Sequence, residues 1–564
     1  MQSFPDFTYE RPNIDAVKAE LRYAIKQFNA ATTVPMQDEC LQEINRQRND
    51  FESMASLAHI CYTLNTQDPF YTAEQDYFDE AQPQYLEIVT EYYQALVASP
   101  FQKELSKRWG SQLFSIAAMT LKTFSPAVMQ DLQQENKLGS RYKQLMASAM
   151  IMFDGEERNL PQLAAYQQSP DRATRMEASA ARYSFFAQHQ NEFDELFDQL
   201  VKVRTRIAQT LGFATFTPLG YLRSNRSDYD AQMVAFFRNQ VKQFVVPLAS
   251  QLLEDQQQRL GLDALHYYDE SLFFPAGNPS PQGTPEEILQ HGRTMYEELS
   301  SQTGTFFKEL SERELLDLLS RKGKATGGYC DYLAKFSAPF IFANFNGTSG
   351  DIDVLTHEAG HAFQVWLSRE QTVPEYYFAT MEAAEIPSMG MEFFTWPWME
   401  RFFGTQASHY RYLHLTSSML FLPYGCLVDE FQHEVYDHPN MSPQERRLTW
   451  RQLEQTYLPK RDYQGHEFLE AGGYWFQQGH IFEVPFYYID YVLAQTCVFQ
   501  LWQHAQSDRE HAWEKYLSLC RAGGRESFTN LLPIAGLQSP FAEGTVAQMT
   551  DGVRAWLQNT NNRV

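Results

Sequence analysis

Cysteine is scarce in this chain of 564 residues, and its six copies show neither paired nor metal-like spacing. They lie at Cys40, Cys61, Cys330, Cys426, Cys497 and Cys520. Such scattered positions argue against a disulfide framework and against a cysteine-based metal site. We therefore expect reduced thiols in a cytoplasmic protein, and none of the six has the context of a catalytic nucleophile.

Long apolar runs and excess positive charge are also missing. No stretch of 18 apolar residues could span a membrane, and the start of the chain is not typical of a signal peptide. The 46 lysines and arginines are outnumbered by 70 acidic residues, which gives a formal net charge of −24. Phosphates would be repelled by this charge, so we expect a soluble protein that binds neither nucleic acid nor membrane.

Amphipathic helical patterns dominate what remains. Apolar residues recur at helical intervals in many segments, for example at Val17, Leu21, Ile25 and Phe28. The clearest break, Pro275–Gly283, runs directly into a helix-capping pattern that begins at Thr284, so it resembles an internal loop more than a linker. With 43% hydrophobic residues the chain can bury a large core, and we expect a mainly α fold.

The most informative stretch is His357–His361, with the sequence His-Glu-Ala-Gly-His. On an α-helix, residues four apart lie on one face, so the two imidazoles can converge on one zinc ion. Glu358 lies beside them and is free to handle a proton. Composition alone would produce such a pattern in roughly one chain in 25, so the neighbouring residues must support the interpretation.

Those neighbours favour a metal site over a helix that is merely cross-linked by its histidines. The segment is apolar almost all round, and burying unpaired polar groups there would cost on the order of a few kcal/mol each. Gly360 in mid-helix indicates a close approach by another part of the chain. Asp353, one turn before His357, either orients that imidazole or is a solvated carboxylate at the helix start.

A third metal ligand is expected, because a catalytic zinc usually has three protein ligands. A second helix around residues 381–392 offers Glu382, Glu385 and Glu392 on roughly one face. A break between the two helices would let the second return across the first. The spacing alone does not choose among the three glutamates.

A second group of chemically useful residues follows about a hundred positions later. Glycines 472, 473 and 479 precede His480, and tyrosines 487, 488 and 491 come soon after it. Imidazole and phenol groups are donors that could stabilise the oxyanion formed during attack on a peptide carbonyl. The alternative is an aromatic core helix behind a flexible turn.

The segment Pro339–Gly347 predicts a short strand just before the metal helix. An extended peptide can bind as an added strand on an exposed sheet edge, which gives affinity with little sequence preference. We therefore weigh two interpretations of this strand: an edge that receives a peptide, and an ordinary buried strand.

Three segments together resemble the oligoendopeptidase F branch of the thimet oligopeptidase family: Ala343–Thr348, His357–Phe363 and Ala384–Met389. The region from Leu200 to Tyr229 resembles it too. In that family the glutamate before the small or apolar residue, proline and serine is the third zinc ligand, which corresponds to Glu385. Glu382 and Glu392 then either orient the ligands or form buried ion pairs.

The resemblance also implies roles for the later residues. His480, Tyr488 and Tyr491 correspond to substrate-contacting groups, although the interval differs from the thimet type and leaves Tyr487 as an alternative to Tyr488. It further implies a two-lobed helical fold that encloses a deep substrate channel, with a small β-sheet beside the zinc helix. Residues 1–190 would form one channel wall, and residues 191–564 the integrated catalytic region.

The sequence thus predicts a zinc endopeptidase that hydrolyses short, unstructured peptides. One Zn²⁺ per chain would be held by His357, His361 and Glu385, with Glu358 as general base. Two alternatives remain open. One is a noncatalytic peptide-binding protein with a structural metal. The other is a dipeptidyl carboxypeptidase, which needs a cation for the terminal carboxylate that the sequence pattern does not locate.

Overall fold

The structure is a computed structural model that describes residues 2–561, and it is mostly helical with two small β-sheets. The helices before residue 211 are α1 (Ile14–Ala30), α2 (Val34–Leu64), α3 (Pro69–Val97), α4 (Gln102–Trp109), α5 (Ser111–Thr120), α6 (Met129–Ala147), α7 (Leu160–Tyr166), α8 (Arg172–Gln188) and α9 (Gln190–Thr210). The prediction of a mainly α fold is confirmed.

The helices of the second part begin with α10 (Phe216–Arg223), α11 (Ala231–Gln240), α12 (Val246–Arg259), α13 (Pro285–Leu299), α14 (Ser301–Glu312), α15 (Gly350–Ser368), α16 (Met381–Phe394) and α17 (Met399–Phe403). They continue with α18 (Ala407–Asp437), α19 (Pro443–Tyr457), α20 (Glu467–Glu470), α21 (Gly479–Glu483), α22 (Tyr488–Ser507), α23 (Arg509–Ala522), α24 (Phe528–Ile534) and α25 (Thr545–Asn561).

The strands form a hairpin and a three-stranded sheet. The hairpin pairs β1 (Ile151–Phe153) with β2 (Glu156–Arg158). The sheet contains β3 (Leu316–Leu319), β4 (Tyr329–Leu333) and β5 (Ala338–Phe345) in the order β3-β5-β4, with β4 antiparallel and β3 parallel to β5. The small sheet expected beside the zinc-binding helix is therefore present, because α15 follows β5 directly and packs on it.

The edge-strand interpretation of the segment before α15 is wrong. That segment is β5, which is the central strand, and seven of its eight residues are buried. A nearly continuous apolar run is typical of a strand covered on both faces, whereas an edge strand beside a groove keeps some polar positions. The open edge next to the metal helix is instead β4, whose first three residues are half-buried.

The amino-terminal helices pack against this sheet and against the loop after α15. The Thr63 hydroxyl on α2 lies 2.6 Å from the Tyr329 hydroxyl on β4. Arg48 and Glu375 form a buried ion pair at 2.8 Å. Helix α2 therefore runs alongside the open edge of the sheet. The division of the chain at residue 190 stays a prediction.

All six cysteines are free thiols in the structure. Within residues 2–561, the helices are either too short or too polar to cross a membrane.

Helices α15 and α16 are in close contact at Gly360, which confirms the close approach expected there. A Cβ atom at this position would lie 2.6 Å from the carbonyl oxygen of Pro387 and 2.6 Å from the Cα of Ser388. Real Cβ atoms do not approach backbone this closely, so only glycine lets the two helices meet at this distance.

We expect Gly360→Ala to lower the thermal midpoint of unfolding, because overpacking against rigid backbone costs about 1–3 kcal/mol. Gly139→Ala is the matched control, since that glycine also lies in a helix but a Cβ there would have no neighbour within 4 Å. The control should stabilise the protein slightly, as alanine favours helix by about 1 kcal/mol over glycine. Equal midpoints for the two variants would contradict the packing argument.

Candidate active site

The start of α15, the helix that carries the candidate metal ligands His357 and His361, is fixed by the carboxylate of Asp351 in its first turn. This side chain accepts hydrogen bonds from the backbone N–H groups of Asn346 and Gly347, both at 2.8 Å. The bonds tie the end of β5 to the start of the helix, and a negative charge is favourable at a helix amino terminus. The sharp turn between the two elements uses Gly347 at a positive φ of 85°.

His357, His361 and Glu385 come together where α15 crosses α16. Their candidate ligand atoms all lie within 4.8 Å of one another. Oε2 of Glu385 is 3.3 Å from Nε2 of His357 and 3.1 Å from Nε2 of His361. Two imidazole nitrogens and one carboxylate oxygen are a donor set that suits zinc, so these residues fit the expected ion.

The electrostatics of Glu385 favour an ionised ligand. Burial by itself raises the pKa of this carboxyl group, but the adjacent imidazoles of His361 and His357 more than offset the effect. The pKa is therefore held well below its usual range. The Ser388 hydroxyl donates a further hydrogen bond to Oε2 at 3.0 Å.

Glu392 orients His357 through a chain of hydrogen bonds. Trp396 can only donate, and its Nε1–H points at Nδ1 of His414 at 3.2 Å. Nε2 of His414 then donates to Glu392 at 2.6 Å, and the other oxygen of Glu392 accepts from Nδ1 of His357 at 2.7 Å. This arrangement leaves the Nε2 lone pair of His357 directed at the metal position.

The other two carboxylates that the sequence left open do not contact the ligands. Asp353 accepts a hydrogen bond from the Tyr410 hydroxyl at 2.6 Å, and burial raises its pKa to about 6. Glu382 is buried near Asp490 and Arg226, and its burial together with the charge of Asp490 raises its pKa. His414 was missed by sequence reasoning, because it lies 22 residues from Glu392 on another helix and carries no motif.

Glu358 presents an unengaged carboxylate next to the metal position. Its side chain is buried, and Oε2 has no hydrogen-bond partner among residues 2–561. Burial raises the pKa of this group, while the imidazoles of His357 and His361 act in the opposite direction. A Cβ on Gly328 would lie 3.1 Å from Oε1 of Glu358, so the glycine leaves room beside the carboxylate.

His480 lies in the short helix α21 with a defined tautomer. Its Nδ1 lies 2.9 Å from the amide nitrogen of Gln478, and Gln478 is itself held by the Tyr424 hydroxyl at 2.9 Å. Burial lowers the pKa of His480 to about 4, so the ring is neutral near pH 7. Because Nδ1 accepts, Nε2 carries the proton, and it lies 3.2 Å from the Tyr491 hydroxyl.

Three tyrosine rings surround His480, with ring centroids 5.0–5.8 Å away. Tyr487 donates its hydroxyl to Glu385 Oε1, so it touches a metal ligand directly. Tyr488 packs edge-on against Phe421 and Tyr424. The structure thus groups His480 with the three tyrosines and connects this group to Glu385 through Tyr487. The assignment of Tyr488 and Tyr491 to substrate contact stays a prediction.

The backbone that carries these residues is anchored by two buried arginines. Arg226 donates to the carbonyl oxygen of Phe486 and pairs with Asp490 at 2.7 Å, where both side chains are fully buried. Arg204 donates in the same way to the carbonyl of Phe482 at 2.6 Å. Phe486 adopts a positive φ of 69°, an unfavourable conformation for a bulky residue.

A cavity of about 470 Å³ opens beside His480, within the usual range for ligand pockets. Its lining includes the loop from Ala325 to Tyr329 and the segment from Gln477 to Val484. The lining also includes residues of α2, α6 and α8, among them His59, Tyr142 and Arg182. The amino-terminal helices therefore contribute to the same cavity as the candidate catalytic residue His480.

Comparison with known proteins agrees with this geometry. Residues 4–124 match the description Peptidase M3 N-terminal domain, and residues 165–551 match Peptidase family M3. An oligoendopeptidase F homolog from Lactococcus lactis subsp. lactis (strain IL1403) is 22% identical over 57% of this chain and 56% of its own length. The chain spans between 38% and 56% of the length of the curated relatives it matches.

Solved structures match over almost the whole chain. An oligoendopeptidase F from Bacillus anthracis str. Ames is 49% identical with a TM-score of 0.94, covering 100% of this chain and 99% of that one. PZ peptidase A, solved with an inhibitor, is 53% identical with a TM-score of 0.98 and 99% coverage of both chains. The resemblance to oligoendopeptidase F is thereby confirmed, and the chain belongs to peptidase family M3.

Proposed function

We propose that this protein is a zinc-dependent endopeptidase that hydrolyses short, unstructured peptides. The observation that carries the proposal is the convergence of His357, His361 and Glu385 beside the unengaged carboxylate of Glu358. The likeness to oligoendopeptidase F and to PZ peptidase A supports peptidase chemistry. A cytoplasmic location stays a prediction.

The three ligands would hold one zinc ion per chain. When bound, zinc lowers the pKa of a water molecule toward about 7 and polarises the carbonyl that is attacked. Glu392 keeps His357 in the tautomer that leaves Nε2 free, and Tyr487 and Ser388 hold the carboxylate of Glu385 in place. These contacts position the ligand set before a substrate arrives.

Glu358 would act as the general base and then as the acid. Its carboxylate accepts the proton of the attacking water and passes it to the amine that leaves. His480 would donate from Nε2 to the oxyanion, together with Tyr488 and Tyr491. Each well-placed donor of this kind contributes about 3 kcal/mol to stabilising the transition state.

The peptide would lie along the open edge of β4. Apart from its pairing with β5, this strand makes no backbone–backbone hydrogen bond within residues 2–561. A substrate strand could therefore pair with it through backbone groups alone, which gives affinity with little sequence preference. The sequence analysis considered the strand before α15 as the edge that receives a peptide, and we assign that role to β4 instead. Helix α2 runs alongside this edge and would restrict access to short chains.

Glu358→Gln should retain zinc and lose hydrolysis. Glutamine keeps the size of the side chain but cannot accept the proton, so we expect kcat to fall about 100- to 10,000-fold. Turnover of a quenched peptide and metal content by elemental analysis are measured on the same preparation. Near-normal turnover would remove the proposed role of Glu358.

Removal of the metal should abolish cleavage and lower the thermal midpoint, because the buried donor set loses its partner. Dialysis against a chelator followed by addition of Zn²⁺ should restore both properties. A noncatalytic peptide-binding protein with a structural metal would show the stability change and no cleavage in any state. Metal-independent cleavage would contradict the proposal.

Endopeptidase action predicts products of varied length from a series of peptides of increasing length. Peptides blocked at both ends should still be cleaved, because backbone pairing with β4 needs no free terminus. Mass spectrometry of the products measures the cut positions. A constant dipeptide released from the carboxyl end, with no cleavage of blocked peptides, would establish a dipeptidyl carboxypeptidase instead.

A further inference from the structure

We infer that Arg182 binds the carboxylate at the carboxyl terminus of the peptide substrate, inside the cavity that also contains His480. The inference rests on the proposed peptidase function and adds a substrate class to it, namely peptides with a free carboxyl end near the cut bond. The carboxylate contact would raise the rate on such peptides without being required for cleavage.

The guanidinium group of Arg182 has N–H groups that donate to no acceptor in the described chain. Its Nε and Nη2 donate to the side-chain oxygen of Gln477 at 3.2 and 3.0 Å, and its Nη1 donates to the carbonyl of Leu160 at 3.2 Å. A guanidinium group has five N–H donors. One N–H on each terminal nitrogen therefore has no acceptor among residues 2–561, and this pair suits a bidentate contact with a carboxylate.

The charge of Arg182 is also uncompensated. No carboxylate oxygen of the described chain lies within ion-pair distance of it, although acidic residues outnumber basic ones by 70 to 46. The other charged groups that line the cavity, Lys143 and Glu483, pair with each other at 3.1 Å. Arg182 thus gives this cavity its net positive charge.

Arg204, on the next helix α9, is a structural arginine with which the exposure and the partners of Arg182 can be compared. It is 1% exposed, pairs with Glu135 at 2.7 Å, and donates to the Tyr436 hydroxyl and to backbone carbonyls. Arg182 is half-buried and lines the cavity. The two arginines therefore differ in the property that matters for binding an anion.

A second cavity, of about 440 Å³, lies toward the other end of β4. The two cavities adjoin at His59, which lines both. The first reaches the amino end of β4 at Tyr329, and the second reaches its later residues Asp331 and Tyr332. A groove with two differently charged ends therefore follows the open edge of the strand.

The charges of the groove select one direction for a bound peptide. The second cavity is lined by Glu52, Asp79 and Asp331, with no lysine or arginine among its lining residues. A peptide antiparallel to β4 would place its ammonium end near these carboxylates and its carboxylate end near Arg182. A parallel peptide would bring like charges together at both ends.

The candidate catalytic groups lie at the amino end of β4, next to the cavity of Arg182. His480 lines that cavity, and so does Gly328, which immediately precedes β4 and lies against Glu358. A bond cut beside Glu358 would therefore leave the carboxyl-terminal product on the side of Arg182. The carboxylate contact would hold that part of the substrate during the cut.

The test compares two peptides of identical sequence, one with a free carboxyl terminus and one with a terminal amide. For the zinc-loaded wild type we expect kcat/KM to be about tenfold higher for the free acid, as for other charge-assisted hydrogen bonds. In Arg182→Gln this ratio should fall to about one, and Arg182→Lys should keep part of it. A length series shows how many residues separate the cut bond from Arg182.

Arg521→Gln is the matched control. This arginine also donates to a glutamine, Gln302, without a carboxylate partner in the described chain, but it is exposed and lies outside both cavities. The free-acid preference should persist in this variant. Equal losses for acid and amide in Arg182→Gln would show that the residue only anchors Gln477, and would overturn the inference.

Binding separates this inference from the proposed function. Dissociation constants of the two peptides are measured by fluorescence anisotropy with Glu358→Gln, where no product forms. The free acid should bind about tenfold more tightly, and the Arg182→Gln change in that background should remove the difference. Equal binding of acid and amide would contradict the inference, whereas a wild type that binds but does not hydrolyse would contradict the proposed function alone.

Discussion

The candidate site depends on how closely two helices approach each other. Gly360 has no side chain, and so the backbone of α16 at Pro387 and Ser388 reaches α15. This contact sets Glu385 within 3.3 Å of the imidazoles of His357 and His361. A Cβ at that position would push the helices apart, and the third ligand would be displaced from the other two. The absence of a Cβ at Gly360 thus allows Glu385, a candidate ligand 25 residues away in sequence, to reach the two imidazoles.

A second constraint acts on the backbone that carries His480 and the tyrosines. Buried carbonyl groups need hydrogen-bond donors, and here arginine side chains supply them. Arg204 on α9 and Arg226 in the loop after α10 each reach a carbonyl of this segment. Their charges are balanced by Asp490 and Glu135. The oxyanion candidates are therefore held by buried polar contacts that join distant parts of the chain.

Sequence reasoning succeeded where the chemistry depends on local spacing. The two histidines share one face because a helix repeats every 3.6 residues, and Glu358 lies beside them for the same reason. It failed for the strand before α15, because an apolar run indicates burial but not the order of strands in a sheet. It also had no means to find His414, whose only connection with His357 is a hydrogen-bond chain through Glu392.

By itself, the sequence determined the helical class of the fold, which follows from helical periodicity along the chain. It also determined that His357 and His361 share one face of a helix with Glu358 beside them, which follows from periodicity within that helix. The family resemblance added Glu385 as the candidate third ligand. Only the tertiary structure decided which carboxylate orients His357, which strand has a free edge, and where Arg182 lies relative to His480. Those relations join residues tens to hundreds of positions apart, and they arise from packing between helices and sheet, which local patterns of residues do not encode.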